Sequence, residues 1–367
     1  MRIAHLVRQY GPAVGGLESF VAGLTHEMTR RGHACDVITL DRVFEDPNAR
    51  LRAQEVIDGV VVRRVRFVGH RRWFVPRLPR HLLEQYDVLH VHGVDGLLER
   101  VAREPRRLGQ IRIATSHGLM FHTRFLAPVK QIYFSSITRL AAQAYDGFIA
   151  NSGADARALQ RLGQPVDLIP NGIAPLGAFT VEGNDLLYLG RLATHKHVDH
   201  LLAVLAQPAL SGVRLHIVGG EWDVSIDALR AKARELGVAD RVTLHGKLDA
   251  EALARVSRQC GVFVSASAYE GFGMSLIEAM SVGLIPIVHA NPSFVELTAM
   301  APIGATTAFD DAPRAAAAVR LELDRLTPAR RQAAISFAQR FSWSAHTDRT
   351  LALYDRLRAD RKERRAA

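Results

Sequence analysis

Apolar positions along this chain follow two alternating rhythms. Short continuous apolar runs, the pattern of buried strands, are each followed by a stretch with apolar residues at helical spacing. The first run, RIAHLV (Arg2 to Val7), ends in a Gly-rich turn. GLESFVAGLTHEMTRRG then puts Leu17, Phe20, Val21, Leu24 and Met28 on one helical face, closed by Gly32. DVITL (Asp36 to Leu40), GVVVRRVRF, DVLHVHG and IRIATSHG are the next strand candidates, and FIANSG (Phe148 to Gly153) and VDLIPNG (Val166 to Gly172) finish the first half. LLYLGRL, RLHIVGG, RVTLHGKL, GVFVSAS and LIPIVHA renew the alternation. Such alternation marks α/β folds with open parallel sheets. It predicts two doubly wound, Rossmann-like domains facing across a cleft, residues 1–172 and 173–344, with a terminal helix of about 345–367 free to pack back on the first. Parallel sheets of this kind bind ligands at the carboxyl ends of their strands, so the loops after each strand hold the candidate chemistry.

The 367 residues and 48% hydrophobic content agree with two cores. Cys35 and Cys260 lie far apart in apolar runs, which excludes a disulfide framework and a Cys-based metal site and suits a reducing compartment. The N-terminus turns polar too soon for a signal peptide, and no uncharged run approaches the ~18 residues of a membrane span. A cytoplasmic protein is expected. The net charge of +10 is concentrated between Arg50 and Leu140, with 17 Arg/Lys against 7 Asp/Glu. Within it, FVGHRRWFVPRLPRHLL (Phe67 to Leu83) interleaves Arg71, Arg72, Arg77 and Arg80 with Trp73 and Phe74. That mixture suits an anionic membrane surface or anionic substrate, the plain alternative being a solvated basic face.

The richest segment is SASAYEGFGMSLIEAMSVGLIPIV (Ser265 to Val288). A buried strand runs through a short loop, Glu270, Gly271, Phe272, into a helix starting near Gly273. Gly271 and Gly273 clear the way for a ligand. The amides of Gly273, Met274 and Ser275 then form a helix N-terminus suited to phosphate. Glu270 and Glu278 are odd in a phosphate site unless they hold sugar hydroxyls; otherwise they are a helix cap and a surface glutamate. In LLYLGRLATHKHVDHLL, Arg191 and Lys196 leave a strand end, where two cations can neutralise a diphosphate leaving group. Gly15 and Gly16 before the first helix are a further candidate anion nest. His117 follows a strand in IATSHGLMFH and reads equally as structural or catalytic. His90 and His92 share a face in DVLHVHG and read as a packed or hydrogen-bonded pair rather than metal ligands. No Asp-x-Asp occupies a suitable loop, so metal-independent chemistry with no cofactor is expected.

Together these motifs resemble the retaining glycosyltransferase family 4, of GT-B fold. The residues are GGLE (Gly15 to Glu18), SHG (Ser116 to Gly118), IPNG (Ile169 to Gly172), GRL with Lys196 (from Gly190), and the paired glutamates Glu270 and Glu278. The resemblance spans nearly the whole chain. It implies that Glu278 holds the donor ribose, Glu270 sits near the transferred sugar, and Arg191 and Lys196 bind the diphosphate with the Gly273 to Ser275 amides. His245 to Lys247 would flank the base and His117 the reacting sugar. The family's usual mechanism is a same-face displacement assisted by the leaving phosphate. Family members commonly carry Asp where Ala174 stands here. VRQYGP, VITLDRVFEDP, VHGVDG, HGLMFHT and VKQIYF resemble a narrower group, the mannosyltransferases of exopolysaccharide assembly. This implies GDP-mannose as donor, a polyprenyl-diphosphate-linked disaccharide acceptor and peripheral attachment to the inner face of the cytoplasmic membrane. The alternatives are another donor such as UDP-glucose, a soluble acceptor, or a non-catalytic nucleotide or nucleic-acid binder. No nucleic-acid motif supports the last.

Overall fold

The computed structural model describes all residues except 14, 45, 47, 71–72, 119–126, 302 and 367. The chain divides into two compact units, Met1–Gly172 with Trp343–Ala367, and Ile173–Ser342.

The first unit holds strands β1 (Arg2–Val7), β2 (Ala34–Leu40), β3 (Gln54–Ile57), β4 (Val60–Val65), β7 (Val88–His92), β8 (Ile111–Thr115), β9 (Gly147–Ala150) and β10 (Val166–Leu168) in one sheet of order β10-β9-β8-β7-β1-β2-β4-β3. All pairs are parallel except the β3–β4 hairpin at the edge. The central strands read as unbroken apolar runs because helices cover both faces. A separate hairpin pairs β5 (Phe67–His70) with β6 (Trp73–Pro76). Periodicity alone merged GVVVRRVRF into one strand. The chain instead breaks after Val65, between β4 and β5.

The second unit is a six-stranded parallel sheet of β11 (Asp185–Leu189), β12 (Leu215–Val218), β13 (Val242–Gly246), β14 (Cys260–Ser265), β15 (Ile285–His289) and β16 (Ala305–Thr307). Its order, β13-β12-β11-β14-β15-β16, is the doubly wound arrangement in which the winding of the connections reverses between the parallel neighbours β11 and β14.

The final helix, Trp343–Ala366, buries Leu353, Tyr354 and Leu357 in the apolar cluster that holds Ile3, Phe20 and Ile113 of the first unit. Its start is anchored by Arg31, which donates to the Ser344 carbonyl at 3.0 Å and to its hydroxyl at 2.9 Å. Glycine makes room for Trp343. A Cβ at Gly23 would lie 2.4 Å from the indole, and one at Gly172 2.5 Å from it. Gly23 lies inside the helix Gly16–Arg30, where alanine is intrinsically better by about 1 kcal/mol. The indole contact outweighs that preference, so Gly23→Ala should lower stability by about 1–3 kcal/mol in denaturant titration. A stabilised variant would show that Trp343 does not depend on this gap.

Candidate active site

The chemistry of the second unit gathers where β11 and β14 end. These strands are hydrogen-bonded neighbours, Leu186 opposite Val262 and Leu187 opposite Phe263. Their exit loops are therefore adjacent, although 74 residues separate Lys196 from Glu270. Ala268 N–H donates to the His195 carbonyl at 2.9 Å and ties the two loops together. Asn291 donates to the Ser267 carbonyl at 2.8 Å, and the Ser293 hydroxyl to the Glu270 carbonyl at 2.7 Å. The loop bearing Glu270 is thus held from both sides.

Lys196 Nζ lies 2.7 Å from Glu270 Oε1, and each side chain is only 13% exposed. An ion pair this sheltered depends on both members, because removing one strands the other charge. Its ammonium retains donors for an anionic oxygen. Arg191 is exposed, with its guanidinium over the Trp222 ring at 4.9 Å. Its carbonyl accepts from the Tyr188 hydroxyl at 2.9 Å. The guanidinium makes no hydrogen bond among the described residues, so its planar fork remains available for a phosphate.

Gly273 caps the helix Met274–Met280 at φ 100°, a conformation that favours glycine, with Phe294 and Leu297 crowding its Cβ position. The first bonds of this helix run from Leu276 and Ile277 to the Gly273 carbonyl, so the Met274 and Ser275 amides precede them. One turn in, Glu278 has no side-chain hydrogen bond among the described residues, and burial pushes its carboxyl up to about 7. It is not the surface glutamate of the plain alternative. A half-buried carboxyl lacking partners among the described residues is suited to accept from ligand hydroxyls.

Other expected residues are placed differently. Phe272 is 8% exposed and packs its ring against Phe341 at 5.8 Å, in the core. His245 engages His216 at 3.1 Å, whose other nitrogen meets Asp185 Oδ2 at 3.3 Å. Burial and the neighbouring His216 lower the pKa of His245. The Lys247 stem lies over Gly220. Gly219 and Gly220, read as a strand ending, belong to the same rim. A Cβ at Gly219 would fall 1.7 Å from the Gly190 carbonyl, so glycine permits the β11 and β12 exits to touch. Trp222 was also missed; the signal available was the GG pair after an apolar run.

In the first unit, Gly15 is the extended cap and Gly16 the first residue of the helix Gly16–Arg30. His117 lies two residues beyond β8 in a left-handed conformation, φ 51°. Its N–H donates to Asn151 Oδ1 at 3.2 Å, and Asp155 Oδ2 accepts from Gly118 N–H at 3.1 Å and from the Ser116 hydroxyl at 2.7 Å. His90 and His92 stack with ring centroids 4.1 Å apart, joined by His5 of β1. These three have metal-ligand spacing, as do His197, Asp199 and His200. In the first cluster hydrogen bonds already occupy five of the six ring nitrogens, which disfavours a metal there. Of the basic segment, Arg71 and Arg72 lie outside the described residues. Trp73 is 59% exposed, and Arg77 and Arg80 are exposed. Phe74, expected beside Trp73 at the surface, turns inward at 4% exposure because alternation along β6 sends it into the core with Phe67 and Leu97.

The chain matches the family described as Glycosyltransferase Family 4 over residues 14–175 and that described as Glycosyl transferases group 1 over residues 177–341. It is 34% identical over 358 residues to a GDP-mannose:cellobiosyl-diphosphopolyprenol alpha-mannosyltransferase of Xanthomonas oryzae, covering 94% of this chain and 93% of that one. It belongs to the family 4 glycosyltransferases. A mannosyltransferase of the same name from Komagataeibacter xylinus is 31% identical, with 97% and 93% covered. Among solved structures, sucrose-phosphate synthase from Thermosynechococcus elongatus superposes with TM-score 0.72 at 21% identity, covering 98% and 100% of the two chains. Anabaena Alr3699/HepE in complex with UDP and glucose gives 0.70 at 17%, covering 97% and 99%. This glycosyltransferase therefore has the GT-B fold of two Rossmann-like domains.

The raised Glu278 carboxyl has a thermodynamic signature. Between its ordinary 4.5 and about 7 the unfolded chain ionises while the native carboxyl stays protonated, so stability falls as pH rises through that window. Glu278→Gln should gain up to about 3 kcal/mol over the parent well above pH 7 and nothing below pH 4.5, read by urea titration. A pH-independent difference would remove Glu278 from the buried, unpaired class.

Proposed function

We propose that this glycosyltransferase moves an α-mannosyl residue from GDP-mannose to a polyprenyl-diphosphate-linked cellobiose, with retention and without a divalent metal. The observation that carries the reading is the sheltered Lys196–Glu270 pair with Arg191 on the same strand exit, followed one turn into the next helix by a Glu278 carboxyl with no partner among the described residues, in a chain resembling mannosyltransferases of that specificity. Arg191 and Lys196 offset the charge that grows on the leaving diphosphate, and the Met274 and Ser275 amides add donors. Glu278 accepts from donor hydroxyls. In the step itself the bond from sugar C1 to diphosphate oxygen breaks, and the acceptor oxygen bonds C1 on the same face. The acceptor's hydroxyl proton passes to the departing diphosphate, leaving GDP and the extended lipid.

A lipid acceptor calls for a membrane surface, and the first unit has features that suit one. The helix Ala127–Tyr133, a π turn at Phe134–Thr138 and the helix Arg139–Ala142 run consecutively. Val129, Ile132, Ile137 and Leu140 are 44–70% exposed, with Lys130 and Arg139 beside them. Steps of three residues flank a five-residue step across the π turn, which keeps the four on one stripe. Both β6, which carries Trp73, and the Arg139 helix pack against the helix Gly96–Ala102. An amphipathic stripe with basic neighbours lies on an anionic interface. No helix of the described residues is long and apolar enough to cross a membrane.

The deciding assay offers radiolabelled GDP-mannose and UDP-glucose in parallel to cellobiosyl-diphosphoprenol, with EDTA present. Label entering lipid from GDP-mannose alone supports donor, acceptor class and metal independence; label from UDP-glucose, or from neither, removes that assignment. Lys196→Ala and Glu278→Gln should each lower transfer by at least about 100-fold, and parental rates in both would refute the site. Ile132→Asp with Leu140→Asp should cut salt-sensitive binding to anionic vesicles at least about tenfold. Unchanged sedimentation with vesicles would discard the stripe.

A further inference from the structure

Behind His117 runs a row of imidazoles that no step above uses. His5 Nδ1 of β1 lies 3.0 Å from His92 Nε2 of β7, and His92 Nδ1 lies 2.9 Å from His117 Nε2 beyond β8. His5 and His92 are fully buried; His117, at the strand end, is only partly so. The row is held from the side. His90 stacks on His92 while its own nitrogens engage the Tyr354 hydroxyl and Thr115 Oγ1, each at 2.6 Å. Phe20 sets its ring edge to face against His117 at 4.4 Å. Asn151 and Asp155 fix the backbone on either side of the His117 ring.

Each neutral imidazole carries one ring proton, and each short N···N separation needs one N–H and one lone pair. Burial keeps the rings neutral, lowering His5 and His117 to about 3. The tautomers are therefore coupled. If His5 donates from Nδ1, His92 and His117 must also carry their protons on Nδ1; in the reverse order all three carry them on Nε2. The ends decide between these orders. His5 Nε2 is buried with no partner. The reverse order would strand an N–H there, and orphaned buried N–H groups are rare in folded proteins. The forward order buries only a bare ring nitrogen and leaves an N–H on His117 Nδ1, which has no partner among the described residues.

We propose that His5 and His92 are positioning residues that hold His117 as the Nδ1-protonated tautomer, a fixed hydrogen-bond donor at the carboxyl end of β8. A donor there suits an oxygen-rich, anionic ligand such as a sugar diphosphate, and that use alone rests on the glycosyl-transfer reading. The row makes His117 a poor general base, since Nδ1 already carries the ring proton and the Nε2 lone pair is engaged by the His92 N–H.

The test needs no substrate. Long-range proton–nitrogen correlation spectra of the intact protein labelled with ¹⁵N-histidine should show all three rings as Nδ1–H tautomers. The opposite order, a mixture at His117, or stoichiometric zinc retained after dialysis would overturn the proposal. His5→Phe should convert His117 to a tautomer mixture, whereas His5→Asn, whose amide can donate to His92 Nε2, should preserve the parental spectrum. In the transfer assay His5→Phe should lower kcat about tenfold with KM for GDP-mannose within about twofold, and His5→Asn should recover kcat. Parental tautomers in His5→Phe would refute the coupling. If no mannosyl transfer is found but the spectra show the Nδ1 order, the functional reading fails while the relay stands.

Discussion

The site in the second unit depends on one topological constraint, the reversal of winding between β11 and β14. Connections leave these neighbours in opposite directions, so a seam opens at their carboxyl ends. Everything chemical in this unit uses that seam. Arg191 and Lys196 leave from one strand, Glu270 and the Gly273 cap from the other, and a single backbone bond from Ala268 to His195 draws the loops together. The Lys196–Glu270 pair then neutralises two charges that would be costly to shelter separately. Glycines at 219 and 273 are required where backbone meets backbone or turns left-handed. Among the described residues the Arg191 guanidinium makes no hydrogen bond and the Glu278 carboxyl has no side-chain partner, which is what the proposed phosphate and hydroxyl contacts of the donor call for.

The first unit solves a different problem. Its last helix comes from the far end of the chain and supplies Tyr354 to the histidine row and Trp343 to the gap between Gly23 and Gly172. Polar groups occupy positions in β1, β7 and β8 where apolar residues would pack as well. Their hydrogen bonds to each other make that burial tolerable, and the buried His5 Nε2, without a partner among the described residues, gives the row a direction. The same unit leaves bulky apolar side chains exposed on Val129, Ile132, Ile137 and Leu140, the stripe on which the proposed membrane contact rests.

Much of this was legible before the structure. Apolar runs placed nearly every central strand, since strands covered on both faces leave a continuous apolar record. Arg191, Lys196, Glu270 and the Gly271 to Ser275 turn were read as one candidate site, and the structure brings Lys196 and Glu270 into contact. The failures share a cause. Phe74 was read as a surface aromatic from its basic neighbours, but its side is set by alternation along a hairpin that composition does not reveal. The Phe272 ring, inside the candidate motif, packs in the core. Glu278 was read as a ligand-holding carboxylate, but its burial could not be read from the sequence, since burial is a property of what packs around a residue.

The sequence by itself determined the two-domain α/β architecture, the family and the residue types able to hold a nucleotide sugar, because these follow from local periodicity and from motifs within one loop. Only the tertiary structure decided which of those residues meet. It paired Lys196 with Glu270 across 74 positions, brought His5 behind His117 through β7, and carried Tyr354 to His90 from the far end of the chain. Strand order sets such distances, and strand order is fixed by the packing of the whole sheet rather than by any segment of it.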